Sequence, residues 1–337
     1  MPALAADSSR ATPSLRQKLT RFSFKLTLSL TSLTNVQNCG TCQNCADRVN
    51  YIYVTLHILV ILSEAKNPVW DAEYGWDPSL REAMTHNPEA AMTRNFMLSL
   101  CYDGSRYRGW QRQGNTDNTI QARTETLLSR LLGQEIEIAA SGRTDAGVHA
   151  RRQVCSFRAD TDYDTSFMLT ELRKHLPEDI GALTLTEAAP RFHARLNCRE
   201  KTYVYRVWNS EEPNVFERKY LYFFPAPLDL DAMRAAADVL LGEHDFSAFC
   251  SNKHMKKSAV RTLKSVEIER LGGELRLGFT GNGFLYNMVR ILTGTLLELG
   301  SGQRSIESVS TALESLDREQ AGFTAPAQGL ILWDVKY

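Results

Sequence analysis

The stretch EIEIAASGRTDAGVHARRQVCSFRA (Glu135–Ala159) decides the reading of the fold. Its ends, EIEIAA and QVCSFRA, read as β-strands by their apolar and β-branched content. Between them SGRTDAGVHA (Ser141–Ala150) sets Arg143, Asp145 and His149 around Gly142 and Gly147. A strand connection of this kind is where a rigid scaffold presents a side chain to a cleft. Asp145 can serve there as nucleophile, base or ligand, and Arg143 can hold it ionised by a short charge pair. The spacing fits equally well a turn aspartate that bonds its own backbone. His149 has no nucleophile to serve: there is no Gly-x-Ser-x-Gly elbow and no cysteine signature, so it reads as a satisfied hydrogen-bonding residue.

Upstream, FMLSLCY places Phe96, Leu98, Leu100 and Tyr102 on one face of a half-buried strand that DGS ends. Asn118 is the expected N-cap of a helix, with Gln121 at the capping-box position, Ile120, Leu127, Leu128 and Leu131 at helical spacing, and Gly133 as the stop. Downstream, KTYVYRVWN alternates as a strand, and Asp229 caps a helix ending at Leu241-Gly242. SVEIERLGGELRLGFT reads as a hairpin turning at Gly272-Gly273. FLYNMVRILTGTLLELG is a helix ending at Gly300, Ser305 opens another, and GLILWDVKY closes as a strand. The expected class is α+β: two successive halves, 94–195 and 196–337, each a mainly antiparallel sheet with helices on one face.

The chain has 337 residues, 43% of them apolar, with 39 basic and 39 acidic side chains. A neutral total disfavours indiscriminate phosphate binding, so any nucleic-acid contact must use local patches. SRYRGWQRQ (Ser105–Gln113) interleaves Arg106, Arg108 and Arg112 with Tyr107 and Trp110. Arginines that meet phosphates and rings that stack on unpaired bases suit RNA; packing of alkyl stems on a ring gives the same letters. Arg151-Arg152, Arg218-Lys219 and NKHMKKSAVR (Asn252–Arg261) are further basic groups. No Walker loop, dinucleotide glycine fingerprint or His-Glu-x-x-His occurs.

Residues 1–93 differ in character. The Ser/Thr/Arg/Lys bias of residues 8–35 is that of a transit peptide, with a poor amphipathic period. Cys39, Cys42 and Cys45 have metal-ligand spacing but lack a fourth ligand. The apolar run Tyr51–Leu62 spans twelve residues, short of the about 20 that cross a bilayer. The remaining cysteines, at 101, 155, 198 and 250, lie singly, which fits a reducing compartment. We expect this leader to be an over-extended start or a poorly ordered appendage, with Met92 near a natural beginning.

YDGSRYRGWQRQ, SGRTDAGVHA, RFHARLNCREKTYVYR, LLGEHDFSAF, GNGFLYNMVRILTGTL and TAPAQGLILWDVKY together resemble, in order, the motifs of the tRNA pseudouridine synthase A family, from about Asn95 to Tyr337. The resemblance implies two ferredoxin-like halves around a basic cleft, a homodimer, a cytoplasmic location, no cofactor and no metal. It also implies isomerisation of uridine to pseudouridine in the tRNA anticodon stem-loop. Asp145 takes the position of the catalytic aspartate. Tyr203 takes that of the tyrosine that stacks on the target base and serves as a late base. Arg290 falls where an arginine pairs with the acid, and Arg143 where one replaces the flipped base. A carboxylate can act by attacking sugar or base, or by removing a proton from C2′, and the sequence leaves these routes open. The rival reading is a catalytically silent RNA-binding module of the same fold.

Overall fold

The computed structural model describes residues 92–252 and 257–337. The leader and its Cys39/Cys42/Cys45 group lie outside the described residues, as does part of the basic run at 253–256.

The first unit runs β1 (Thr93–Tyr102), α1 (Ile120–Leu132), β2 (Ala139–Ala140), β3 (His149–Asp160), α2 (Thr165–His175) and β4 (Ile180–Glu187). Strand β1 lies between β4 and β3, both antiparallel to it, and β2 pairs with the far edge of β3. The order is therefore 4-1-3-2. The second unit runs β5 (Glu200–Trp208), β6 (Tyr222–Phe223), α3 (Leu230–Val239), β7 (Gly242–Asp245), β8 (Val260–Leu271) and β9 (Glu274–Gly281). It continues with α4 (Met288–Gly300), α5 (Glu307–Ser315) and β10 (Leu330–Lys336). Strands β10, β5, β9 and β8 repeat the same 4-1-3-2 order, with β7 extending the β8 edge and β6 beside β5. Two ferredoxin-like βαββαβ units thus account for an α+β fold.

The units share one ten-stranded sheet because β10, the last strand, enters between them. It pairs antiparallel with β5 and, over Ile331↔His149 and Leu332↔Ala150, parallel with β3. Alternation built the first strand as expected: Phe96, Leu98, Leu100 and Tyr102 are all buried. The hairpin turns at Gly272, whose φ of 60° is in the left-handed region that glycine tolerates.

Five boundaries differ from the sequence reading, the first three for local reasons. Thr119, not Asn118, caps α1, its side chain accepting from Ala122 N. Asn118 instead donates its amide to the Arg106 carbonyl. EIEIAA pairs as a strand only at Ala139 and Ala140. Upstream, the Ile136 and Ile138 N–H groups donate to Ser129 Oγ and Glu125 Oε1 on α1, so side chains take the bonds a ladder would have used. Helix α4 begins at Met288 rather than Phe284, because Asn287 adopts φ 61° and breaks the helical path. Helix α3 ends at Val239, and α5 begins two residues beyond Ser305.

Helix α4 is buried almost all round and is gripped by the segment before β10. Thr295 Oγ1 accepts from Gly322 N at 2.9 Å, and Glu298 Oε1 from Phe323 N at 3.2 Å. The Arg290 carbonyl accepts from Ala325 N at 3.1 Å. The crossing is possible because Gly294 has no side chain: a Cβ there would run into the Phe323 carbonyl. Gly294→Ala should therefore destabilise the protein by about 1–3 kcal/mol or more, read as a lowered midpoint in denaturant. An unchanged midpoint would show that the crossing segment moves freely.

Candidate active site

The loop carrying Asp145 is held from three directions. Gln153, fully buried on β3, donates to the Gly142 carbonyl at 2.8 Å and accepts from Ser141 Oγ at 2.7 Å. The Tyr102 hydroxyl meets Thr144 Oγ1 at 2.8 Å. From the Arg/Trp segment, Trp110 N–H donates to the Thr144 carbonyl at 3.0 Å. Gly109, at φ 90°, allows that approach, since a Cβ would lie 2.8 Å from the same oxygen. The loop closes on Val148 N donating to the Asp145 carbonyl at 3.1 Å, with Gly147 at φ 80°. The turn alternative is thus half true: the backbone of Asp145 makes the turn, while its carboxylate is left to face a cavity.

That cavity, of about 1020 Å³, is lined by Asp145 and Tyr203 from different units. Five cations line it, Arg108, Arg143, Arg195, Lys201 and Lys257, against one carboxylate among the described residues, that of Asp145. The basic patch that a neutral chain requires is therefore local. Tyr203 lies under the surface, edge-on to Phe284 with centroids 5.1 Å apart. Burial, with Tyr102 and Asp145 adding to it, pushes the Tyr203 phenol above its ordinary range. It therefore stands neutral, which suits stacking, and removing a proton would require it first to lose its own in a dry setting.

Arg290, on the first turn of α4, is the cation that faces Asp145, Nη1 to Oδ2 at 4.0 Å. Its guanidinium is fixed from behind, with Nε donating to the Ala325 carbonyl at 2.7 Å and Nη1 to Asn287 Oδ1 at 2.8 Å. Asn287 in turn donates to Ser251 Oγ at 3.0 Å. The separation is long for a contact pair, and burial outweighs it: the Asp145 carboxyl is held above the usual carboxylate range, with Arg290 pulling the other way. Arg143 is exposed at the cavity wall and makes no ion pair with Asp145; the cation that faces the acid is Arg290, and at a longer distance than the short pair read from spacing.

The Arg/Trp segment departs further from its sequence reading. Tyr107 and Trp110 are 5% and 2% exposed, packed in the core, so neither ring is open to stack on a base. The Tyr107 hydroxyl donates to Asp179 Oδ1 at 2.6 Å, and Arg106 pairs with Asp179 Oδ2 at 2.6 Å. Arg112 lies 3.8 Å from Glu125. Only Arg108 and the buried Trp110 of the five expected RNA contacts line the cavity. Packing wins because the segment's work is to wall in the Asp145 loop. His149 is a satisfied buried residue as expected: Nδ1 accepts from Gly104 N at 3.1 Å, Nε2 lies 3.2 Å from the Lys219 carbonyl, and burial lowers its pKa. Gln153 and Asn287 were not singled out in the sequence; their signal is a polar residue inside a buried strand and an asparagine just before a helix.

Among the described residues no group of His, Cys, Asp and Glu could hold a metal ion, and no helix is long and apolar enough to cross a membrane. The four described cysteines are free thiols.

Fold and cavity define a class: paired ferredoxin-like units that present one carboxylate within a basic cleft. The family model described as tRNA pseudouridine synthase matches residues 100–197 and 236–337. The tRNA pseudouridine synthase A of Bacillus sp. (strain KSM-64) is 45% identical over 243 residues, covering 72% of this chain and 99% of the relative. That of Geobacillus sp. (strain WCH70) is 44% identical over 247 residues, covering 73% and 99%. A tRNA pseudouridine synthase A 2 of Bacillus cereus (strain ZK / E33L) is 44% identical over 243 residues, covering 72% and 99%. The chain belongs to the tRNA pseudouridine synthase family.

The folded pKa of Asp145 lies above its unfolded value, so its ionised form costs stability that is regained as pH falls through that raised pKa. Asp145→Asn should therefore unfold at a higher temperature than the parent at neutral pH, and the difference should vanish on acidification. A lower Tm at neutral pH would show that the carboxylate stabilises the fold. Removing the opposing cation in Arg290→Met should move the acid limb of turnover to higher pH; an unmoved limb would show that Arg290 does not act on Asp145.

Proposed function

We propose that this protein isomerises uridine to pseudouridine in tRNA, with Asp145 as the catalytic carboxylate. The observation that carries the reading is one half-buried, ionisable carboxylate opposite Arg290 in a cation-lined cavity that also holds Tyr203. The reaction breaks C1′–N1, turns the base within the site and forms C1′–C5. The proton on C5 leaves and N1 gains one. The change is redox-neutral and its atoms balance, so the reaction requires no electron carrier.

A paired uridine must first leave its stack at a cost of about a few kcal/mol. Tyr203 offsets part of this by receiving the base, and Arg143, exposed at the cavity wall and without an ion pair among the described residues, takes the place the base vacates. Asp145, kept near its ionised form by Arg290, then acts at the sugar or base. The substrate region we propose is the anticodon stem-loop, the working form a cytoplasmic homodimer that uses no cofactor; these rest on the ordered motif resemblance.

Pseudouridine formation in unmodified tRNA transcripts should be measured for the parent and for Asp145→Asn. The parent should be active and the variant slower by more than about 10²-fold, with tRNA binding kept. Equal rates would remove Asp145 from catalysis, and an inactive parent that binds tRNA would favour the silent binding module. A protein beginning at Met92 should keep both fold and turnover, since every described strand lies within 93–336; loss of either would assign a role to the leader.

A further inference from the structure

Lys201 is the first side chain of KTYVYR after β5 begins, two residues before Tyr203 and on the same face of that strand. It lines the cavity, and its ammonium packs on the Asp145 loop: a Cβ added to Gly142 would lie 3.0 Å from Nζ. Among the described residues it has neither a hydrogen bond nor an ion pair. Its electrostatic neighbours are two further cations, Arg195 and Arg261, and the thiol of Cys198. The adjacent acid, Glu200, is on the opposite face of β5, bound at 2.7 Å to both Lys264 and Lys336. Arg261 has only carbonyls, donating to Ser258 O at 3.0 Å, and Arg195 is exposed beside the cavity.

A half-buried ammonium without a counter-ion costs free energy in the empty protein. Burial, helped by Arg195 and Arg261, accordingly lowers the Lys201 pKa. Lys201 and Arg195 line the cavity with Tyr203, Arg261 adds its repulsion, and none of the three has an ion pair among the described residues, an arrangement that an incoming anion completes. RNA brings one such anion with every nucleotide.

We propose that Lys201, flanked by Arg195 and Arg261, seats one backbone phosphate of the RNA strand whose uridine enters between Asp145 and Tyr203. This rests on the proposed function and deepens it. The glycine at 142 belongs to the same device, because any side chain there would push the ammonium away from its place.

The test compares the full-length parent with Lys201→Met and Lys201→Arg in three measurements: tRNA affinity across a series of KCl concentrations, Tm, and pseudouridine formation. Methionine keeps the stem and removes the charge. Affinity should fall, and the slope of log K against log salt should shrink by about 0.7–0.9, the value of one phosphate contact. Tm should hold or rise, because an unanswered buried charge is gone, whereas a structural lysine would lower it. Lys201→Arg should retain most of the slope. An unchanged slope with Lys201→Met in an active parent overturns the phosphate seat and leaves the catalytic reading standing. A fall in Tm with Lys201→Met, together with a slope that Lys201→Arg does not restore, would make the residue structural and overturn it equally. A parent that forms no pseudouridine yet shows the slope change would sink the function and keep the seat.

Discussion

Two residue pairs, Ile331↔His149 and Leu332↔Ala150, join the halves of this molecule, and the site exists because of them. Among the described residues they are the only ladder between β3 and a strand of the second unit. By lying between β3 and β5, β10 sets the loop that precedes β3 against the start of β5. Asp145 comes from the first unit, Tyr203 and Arg290 from the second, and the acid could meet neither if each unit closed its own sheet. The same strand is preceded by the segment that crosses α4 at Gly294 and fixes Arg290 through the Ala325 carbonyl. Packing that looks remote from the chemistry therefore sets the distance between cation and acid.

Charge in the cavity follows one pattern. Asp145 and Lys201 are both partly removed from water, and both have their charged forms disfavoured by it. Glu274 by contrast is closely answered: it takes Arg206 and Arg276 at 2.7 Å each and is pulled down to about 2. The contrast decides what each region is for. Close, short pairs lower the energy of the empty protein, whereas under-answered charges keep interaction free energy in reserve for a ligand.

Much of the architecture was legible because alternation and helical spacing record which face is buried. Phe96, Leu98 and Leu100 on β1, and Ile120 and Leu128 on α1, are core residues as their periods require. What periodicity could not show is competition for backbone donors. EIEIAA alternates like a strand, yet Ser129 and Glu125 on a neighbouring helix take its N–H groups. In the candidate site the carboxylate was conspicuous in the sequence, a glycine-flanked aspartate at a strand connection, and it lines the cavity. The site was misread in its arginines and rings. Arg143 is nearer to Asp145 in sequence, but the loop turns it outward, and only the fold brings Arg290 across. Tyr107 and Trp110 carry the letters of a base-stacking surface and serve instead as the wall behind the loop.

That wall explains why so much of the cavity's surroundings is rigid hydrogen bonding rather than charge. A carboxylate must be held within a fraction of an ångström to act on a bound nucleotide, and a charge pair at 4.0 Å is too long and too soft to do that alone. Gln153, Tyr102 and the Trp110 backbone N–H hold Gly142 and Thr144, just before Asp145, through neutral bonds of 2.8–3.0 Å, which leave its carboxylate oxygens uncommitted. Had a cation held it by a short bidentate pair instead, the acid would be strongly depressed and its lone pairs occupied. Position is thus supplied by the backbone and the raised pKa by the burial, and the distance to Arg290 is what keeps the two separate.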